Sequence, residues 1–410
     1  MSNKKLIIIM VGLPARGKSY ISNNLAKYLN WMGLKTKVFN SGNSRRSNLE
    51  GIQTSDFFDP NNKACATIKE NISIKTYNEL LNWTYLSGDI GIFDSTNSTP
   101  KRREYLVNES EKYIDNKETV FDIIFIEVKC NNKIIINKNI LLKQLTLDYK
   151  NTDNNTAIED FNQRIKYYEK IYTTINIDNC KHSFISLDRD NDIITSKSIR
   201  GGRKTIIMDF LLNLRISNSP IYLSRHGESL HNVAKKLGGD SKLSERGAIY
   251  SKLLFNYMKT EINDMDKLKI FTSSLKRTKE TVALFNNHTP NKILDEINAG
   301  VCSNMTIRDI SEKYPDILKC RSLDKLNYRY PEGESYRDIC IRIRSFIYEL
   351  ESRNSPILVV GHRAINRVLL AYFLNINVKD MPHIEINLGE VIKLTPSSKG
   401  YIKEIIKLED

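Results

Sequence analysis

One octapeptide, Gly12-Leu13-Pro14-Ala15-Arg16-Gly17-Lys18-Ser19, limits this chain more than any other stretch. It fits the G-x-x-x-x-G-K-[ST] pattern between an apolar run, Leu6–Val11, and an amphipathic one, Ser19–Trp31. A loop so placed joins a buried strand to a helix, which begins a βαβ unit and a parallel sheet. Gly12 and Gly17 permit the tight backbone that lets amide N–H groups surround a phosphate. Lys18 adds a positive charge at the β and γ oxygens. Ser19 offers a hydroxyl to Mg²⁺ and opens a helix whose N-terminus favours anions. These eight residues are therefore candidates for holding a nucleotide.

The rest of the first half keeps the alternation. Lys35–Asn40, Ile90–Phe93 and Phe121–Val128 read as strands, and Ala157–Tyr172 carries Ile158, Phe161, Ile165, Tyr168 and Tyr172 at helical spacing. Asp94 closes the Ile90–Phe93 run, and α/β proteins place ligands at such strand ends. It can hold Mg²⁺ or accept the proton of an attacking hydroxyl. The competing reading is a helix cap, which Ser95 and Thr96 also suit. The pairs Arg45-Arg46 and Arg102-Arg103 follow two of these strands and are candidates for anionic contacts.

A polar stretch at Asn213–Ser219 precedes a fresh strand, so 410 residues divide into domains at 1–215 and 216–410. In the second half Pro220–Ser224, Leu268–Thr272 and Pro356–Val360 read as strands. Helices are expected near 245–261, 276–287, 335–353 and 363–374. Two segments share a layout, Pro220–His226 and Pro356–His362: each is an apolar strand with a histidine at its tip. Neighbouring parallel strands would bring both imidazoles together. One neutral ring can attack phosphorus, and the other, if protonated, can stabilise phosphoryl oxygens. Arg225 and Arg277 would complete a cationic cup, and Glu296 is the nearest candidate acid for a leaving alkoxide. His182 and His288 read as surface or loop residues and His383 as a turn residue, while His231 is a candidate for the lining of this second site.

Composition limits the partners. With 40% hydrophobic and 27% charged residues the chain is of the globular class, and no run reaches the roughly 18 apolar residues of a membrane span. The N-terminal apolar run lacks a cleavage site, and six scattered cysteines without a C-x-x-C pair suit reduced thiols, so a cytosolic location is expected. The net charge of +14 suits anionic sugar phosphates; without a basic-aromatic pattern or a nucleic-acid motif, no nucleic-acid partner is expected.

At these residues the sequence resembles the bifunctional 6-phosphofructo-2-kinase/fructose-2,6-bisphosphatase family. The matching segments run in order along nearly the whole chain: Val11–Ser22, Tyr28–Asn40, Phe93–Thr99, Ile158–Tyr168, Arg225–Glu228, Gly238–Ser241, Glu296–Cys302, Tyr328–Tyr336, Leu369–Phe373 and Lys393–Pro396. The resemblance implies an α/β protein with a P-loop kinase domain, built on a mostly parallel sheet, followed by a histidine-phosphatase domain of the phosphoglycerate mutase type. It implies transfer of the γ-phosphoryl of ATP, with Mg²⁺, to the 2-hydroxyl of fructose 6-phosphate. The second domain would remove that phosphate from fructose 2,6-bisphosphate through a phosphohistidine. Lys18, Ser19 and Asp94 then fall on the ATP and metal positions and Cys130 on a kinase-site cysteine. Arg45, Lys69, Thr96, Arg102, Lys143, Arg164 and Tyr168 fall on fructose 6-phosphate positions. In the phosphatase, His226 matches the nucleophile, Glu296 the acid and His362 the second histidine. Arg225, Asn232, Gly238, Arg277, Arg321, Lys325, Tyr336 and Arg367 match substrate contacts. Relatives are often homodimers, although nothing in the sequence fixes the oligomeric state.

Several positions depart from the family pattern. Lys69 stands in place of an arginine, Ile307 in place of a substrate-contacting tyrosine, and Arg363 in place of a glutamine beside the second histidine. The stretch 197–215 is shorter than usual. Arg363 is expected to tighten phosphate binding and to lower the pKa of His362 by like-charge repulsion. Two rivals remain at this stage. A polynucleotide kinase-phosphatase would suit the charge, although such enzymes use an aspartate nucleophile. A chain with one inactive domain would be a monofunctional enzyme or a sugar-phosphate sensor.

Overall fold

The computed structural model describes residues 4–49, 54–113, 121–144, 154–215, 219–397 and 400–408. The chain divides into two compact units, one of Met1–Asn30 and Leu34–Leu212, the other of Trp31–Gly33 and Asn213–Asp410.

The first unit is built on a six-stranded sheet: β1 (Lys5–Val11), β2 (Thr36–Asn40), β3 (Ile90–Asp94), β4 (Phe121–Lys129), β5 (Ser183–Asp188) and β6 (Ile193–Lys197), in the order β2-β3-β1-β4-β5-β6. All neighbours are parallel except β5 and β6. Strand β1 lies inside the sheet, and Leu6 through Val11 are all buried, which is why the run is continuously apolar rather than alternating. Around the sheet run α1 (Lys18–Trp31), α2 (Ser41–Asn48), α3 (Lys63–Leu86), α4 (Pro100–Lys112), α5 (Lys133–Gln144), α6 (Asn154–Glu169) and α7 (Gly202–Asn213). Their starts follow local chemistry. The Asn40 side chain accepts from Asn43 N at the start of α2, while Thr99 accepts from Arg102 N in front of Pro100 at the start of α4. The functional ends of β1, β2 and β3 therefore lie on one sheet edge, each feeding a helix.

The expected helix over 157–172 is shifted. It spans Asn154–Glu169, and Tyr172 has left it because its hydroxyl donates to the fully buried Glu127 at 2.6 Å. Thr174 Oγ1, Ile175 N and Ser186 Oγ also donate to Glu127, so this carboxylate fixes the chain after α6.

The second unit holds β7 (Ile221–Arg225), β8 (Lys269–Thr272), β9 (Thr289–Pro290), β10 (Ile357–Gly361), β11 (Glu390–Ser397) and β12 (Gly400–Lys407), ordered β12-β11-β7-β10-β8-β9. Strands β7, β10, β8 and β9 are parallel, whereas β11 runs antiparallel to β7 and to β12. Its helices are α8 (Leu230–Val233), α9 (Glu245–Glu261), α10 (Lys276–Thr281), α11 (Ile307–Lys313), α12 (Pro315–Leu323), α13 (Tyr336–Arg342), α14 (Arg344–Ser352) and α15 (Arg363–Phe373). Two expected helices are corrected. The one over 276–287 stops at Thr281, whose buried hydroxyl donates to Arg277 O and accepts from Gly227 N. The one over 335–353 breaks at Ile343. Arg342 is held by Glu334 and by the carbonyls of Ile293 and Asp295, and buried Ile343 turns the chain so that α14 buries Phe346, Ile347 and Leu350.

All six cysteines are free thiols, and no described helix is long and apolar enough to cross a membrane.

Candidate functional sites

In the first unit the glycine loop is braced from three sides. Gly12 sits at φ +137 and donates to Thr96 O at 3.0 Å, tying the end of β1 to the segment after β3. Asn97 reinforces this link by donating from Nδ2 to Met10 O at 2.7 Å. Ala15, at φ +61, buries its methyl with Ile136, Ile140, Ala157, Phe161 and Ile165, and its carbonyl accepts from Asn139 Nδ2 at 2.9 Å. Arg16 is buried against Glu169 and Pro14 O. Lys18 reaches across the loop to Leu13 O at 2.7 Å. The loop is thus shaped before any phosphate arrives, which lowers the ordering cost of binding one. A β-carbon at Gly12 would come within 2.5 Å of Val128 O, in a backbone region that disfavours side chains. Gly12→Ala is therefore expected to lower stability by about 1–3 kcal/mol and to weaken nucleotide binding, as read by urea unfolding and by ATP-dependent thermal shift.

Behind the loop, Asn40 at the end of β2 joins the two candidate metal residues. Its Nδ2 lies 3.5 Å from Ser19 Oγ and donates in a short contact to Asp94 Oδ2, while its Oδ1 caps α2. Asp94 is 3% exposed. A hydroxyl and a carboxylate set together at a phosphate loop are hard oxygen donors of the kind Mg²⁺ takes alongside phosphate oxygens, so these residues fit that ion. Cys130, just past β4, is buried, and burial pushes its thiol pKa up, so it stands here as a neutral thiol.

Four of the candidate sugar-phosphate residues gather around one ring. Phe58 lies under Arg164 at 3.7 Å, Arg45 at 5.0 Å and Lys69 at 5.5 Å, with the Tyr168 ring 6.3 Å away. Lys69 brings a charge to this ring without the planar fork of an arginine. Burial lowers its pKa, and Arg164 and Arg45 lower it further. Arg102 is engaged by Glu70 and by Ser73 Oγ, so a sugar phosphate would have to compete for it. Thr96 is half-buried beside the loop. Arg103, in contrast, is structural: it donates to the carbonyls of Asn97 and Thr173. The Lys143 side chain lies outside the described residues.

In the second unit the parallel register of β7 and β10 pairs Arg225 with Gly361, so His226 and His362 follow side by side. Their ring centroids are 5.1 Å apart. His226 Nδ1 lies 2.7 Å from Gly227 O, and Arg277 Nε donates to His226 Nε2 at 3.1 Å. A carbonyl can only accept, so Nδ1 carries the proton and Nε2 presents a lone pair. Burial, Arg277 and Arg225 hold the His226 pKa well below 6.5. His362 is likewise held neutral, by burial first and then by Arg277, His226, Arg225 and Arg342. The groups that act most on His362 do not include Arg363, which is exposed at the start of α15 and bears on Arg225 and Lys325.

The cup is strongly cationic. Arg225 falls to about 10, through burial and then the neighbouring Arg363, and its buried Nε has no hydrogen-bond partner among the described residues. Lys325 falls to about 8 through burial, Arg367, Arg321 and Arg363. Arg367 donates to the buried Tyr336 hydroxyl at 2.9 Å, and Arg321 lies over the Tyr330 ring. Glu296 accepts from Ile297 N at 2.9 Å and from Ala364 N at 3.3 Å, which holds it at the start of α15. Asn232 accepts from Ser229 N, and Gly238 O lies 3.1 Å from His231 Nδ1. His231 therefore positions the Gly238 turn. Ile307 is exposed at the start of α11.

Four residues absent from the sequence reading shape these sites: Asn40, Phe58, Ser273 and Asn366. Asn40 carried a signal, since it ends a strand as Asp94 does. Asn366, fully buried, donates to Ser224 O at 3.0 Å and so fixes α15 against β7 behind both histidines. Ser273 carried the same kind of signal, directly after the Leu268–Thr272 run, whereas Phe58 lies in a segment with no distinguishing pattern.

Comparison with known proteins covers both units. The 6-phosphofructo-2-kinase family model matches residues 1–218, and that of the histidine phosphatase superfamily (branch 1) matches residues 221–407. The chain is 37% identical to 6-phosphofructo-2-kinase/fructose-2,6-bisphosphatase 3 of Rattus norvegicus, over 100% of this chain and 73% of the relative. It is 38% identical to 6-phosphofructo-2-kinase/fructose-2,6-bisphosphatase 1 of Homo sapiens, over 99% of this chain and 85% of that one. It is also 38% identical to fructose-2,6-bisphosphatase of Saccharomyces cerevisiae, over 97% of this chain and 87% of that one.

Proposed function

The chain belongs to the bifunctional 6-phosphofructo-2-kinase/fructose-2,6-bisphosphatase family, and from that premise we propose that each unit carries one of two opposed reactions on fructose 2,6-bisphosphate. The observation that carries the reading is the presence, on one chain, of the braced loop with Ser19, Asn40 and Asp94 and of the His226–His362 pair in its cationic cup. The domains are 1–215 and 216–410, and the setting is cytosolic.

In the first unit the backbone N–H groups of residues 12–19, Pro14 excepted, bind the phosphates of ATP and Lys18 exchanges Leu13 O for the transferring group. Ser19 and Asp94 would hold Mg²⁺, which neutralises phosphate charge when bound. Asp94 orients the 2-hydroxyl of fructose 6-phosphate, whose own phosphate is held by Arg45, Lys69 and Arg164 around Phe58. In the second unit the His226 Nε2 lone pair attacks the 2-phosphate of fructose 2,6-bisphosphate. The nitrogen–phosphorus bond forms as the bond to the sugar oxygen breaks, and Glu296 protonates that oxygen. Glu296 then takes a proton from the water that releases inorganic phosphate. Arg225, Arg277 and the second histidine stabilise the phosphoryl oxygens, and Lys325, Arg321, Arg367 and Tyr336 hold the rest of the substrate.

Product analysis after incubation with ATP and fructose 6-phosphate, and separately with fructose 2,6-bisphosphate, tests the reading. Absence of both conversions in folded protein removes it. Light scattering on the same sample tests the homodimer.

The cup also gives a pH dependence. Lys325 loses its charge as pH rises through about 8, so the phosphatase Michaelis constant should rise several-fold between pH 7 and 9. Arg363→Gln removes one of the cations depressing Lys325, which moves that rise to higher pH. At pH 7 the loss of a cation acting on Arg225 and Lys325 should raise the Michaelis constant and weaken inhibition by phosphate. Initial-rate kinetics at several pH values check this, and a Michaelis constant flat across that range would show that Lys325 does not meet substrate.

A further inference from the structure

The second histidine poses a problem that its surroundings solve. A phosphoryl group bound in the cup offers only acceptors, so His362 must donate to it. An imidazolium would donate, but burial and the cations of Arg277 (α10), Arg225 (β7) and Arg342 (α13) oppose that form. A ring with one proton can donate through Nδ1 only if Nε2 is free to accept. Nδ1 is buried with no partner among the described residues, whereas Nε2 lies 2.8 Å from Ser273 Oγ.

Ser273 is fully buried just past β8. Its oxygen receives the Leu275 N–H at 3.1 Å and lies 2.8 Å from Thr278 Oγ1. A hydroxyl has one proton and two lone pairs. If Thr278 donates to Ser273, both lone pairs of Ser273 are filled and its only proton is directed at His362 Nε2. Thr278 Oγ1 also lies 3.2 Å from Ser273 O and 2.8 Å from Leu275 O; turning to the Ser273 hydroxyl costs little at the nearer of these, since Leu275 O still receives backbone N–H groups from Thr278 and Lys279.

We propose that Thr278 and Ser273 form a hydroxyl relay that fixes the tautomer of His362, so that a singly protonated ring presents Nδ1–H to the phosphoryl oxygens. Ser273 and Thr278 are positioning residues that act through His362. The relay rests on the phosphatase reading of the second unit. It explains how a cup of such charge supplies a further donor without a further cation.

The test uses the full chain with ¹⁵N-labelled histidine and saturating inorganic phosphate. The expected NMR pattern for His362 is a neutral ring with its proton on Nδ1. A proton on Nε2, protons on both nitrogens, or a ring unaffected by phosphate overturns the relay. Kinetics give an independent check. Ser273→Ala should lower phosphatase kcat about 10- to 100-fold, yet cost less than about 2-fold in a His362→Ala background. Equal losses in both backgrounds would make Ser273 merely structural. Thr278→Val should lower kcat and Thr278→Ser restore it; a valine variant as active as the serine one also overturns the relay. Failure of the wild-type chain to hydrolyse fructose 2,6-bisphosphate, with the Nδ1–H ring present, would sink the substrate reading and leave the relay standing.

Discussion

Replacing His226 by alanine should remove the phosphatase activity by at least about a thousandfold and leave the kinase within about 2-fold of the unaltered chain. Incubation with fructose 2,6-bisphosphate labelled at the 2-phosphate should give an acid-labile, base-stable phosphoprotein, and His226→Ala should give none. The reason lies in one ring. Its Nδ1 proton is committed to Gly227 O and its Nε2 lone pair faces Arg277, so the nucleophile is formed before substrate arrives. Burial and the cations of Arg277 and Arg225 keep that nitrogen unprotonated well below pH 6.5, and Arg277 must turn from it to the phosphoryl oxygens as it attacks. The acid limb of the phosphatase profile should therefore not fall at 6.5. Stability moves the other way. Two buried neutral histidines refuse protons that the unfolded chain accepts, so stability is full above about 6.5 and falls as pH drops below it. The slope is about 1.4 kcal/mol per pH unit for each histidine. Label persisting in His226→Ala would move the nucleophile elsewhere.

The parts legible in the sequence were those where local pattern and tertiary role coincide. Strands β1, β3 and β10 are buried on both faces, so each shows as a nearly continuous apolar run bounded by turn residues, whereas Asp122 and Glu127 interrupt β4, Ser224 and Arg225 end β7, and the exposed Lys269 opens β8. The histidine pair was readable because two such runs end alike, and parallel pairing converts that likeness into adjacency. Helix limits were less readable. Tyr172 has helical spacing but is drawn off by Glu127, forty-five residues away in sequence, and Ile343 breaks a periodic stretch because both flanking helices bury apolar faces. The supporting residues were hidden for the same reason. Ser273 acts through His362, eighty-nine positions later, and Phe58 becomes a hub only when α2, α3 and α6 meet around it. Arg363 shows how far a charge reaches beyond its sequence neighbour: it follows His362, and its charge also falls on Arg225 and Lys325.

Lys18→Ala should lower kinase turnover by at least about a hundredfold and abolish the thermal protection given by ATP, while phosphatase turnover stays within a few-fold of the unaltered chain. Lys18 is buried at the start of α1, and its amine spans the loop to Leu13 O, so the charge is already placed over the phosphate cradle. The loop itself should survive the change. Ala15 is anchored by its apolar cluster and by Asn139, and Gly12 by Thr96, none of which depends on the lysine. Lys18→Arg should not rescue, because a planar fork cannot replace a compact ammonium in a braced loop. Asp94→Asn provides the contrast. It removes the carboxylate but leaves the phosphate cradle intact, so ATP protection should persist while turnover collapses. Two results would sink this account: kinase activity surviving Lys18→Ala, or the phosphatase falling in parallel while circular dichroism shows an intact fold. The first would place the transferring phosphate outside the loop. The second would mean that the two sites do not act separately.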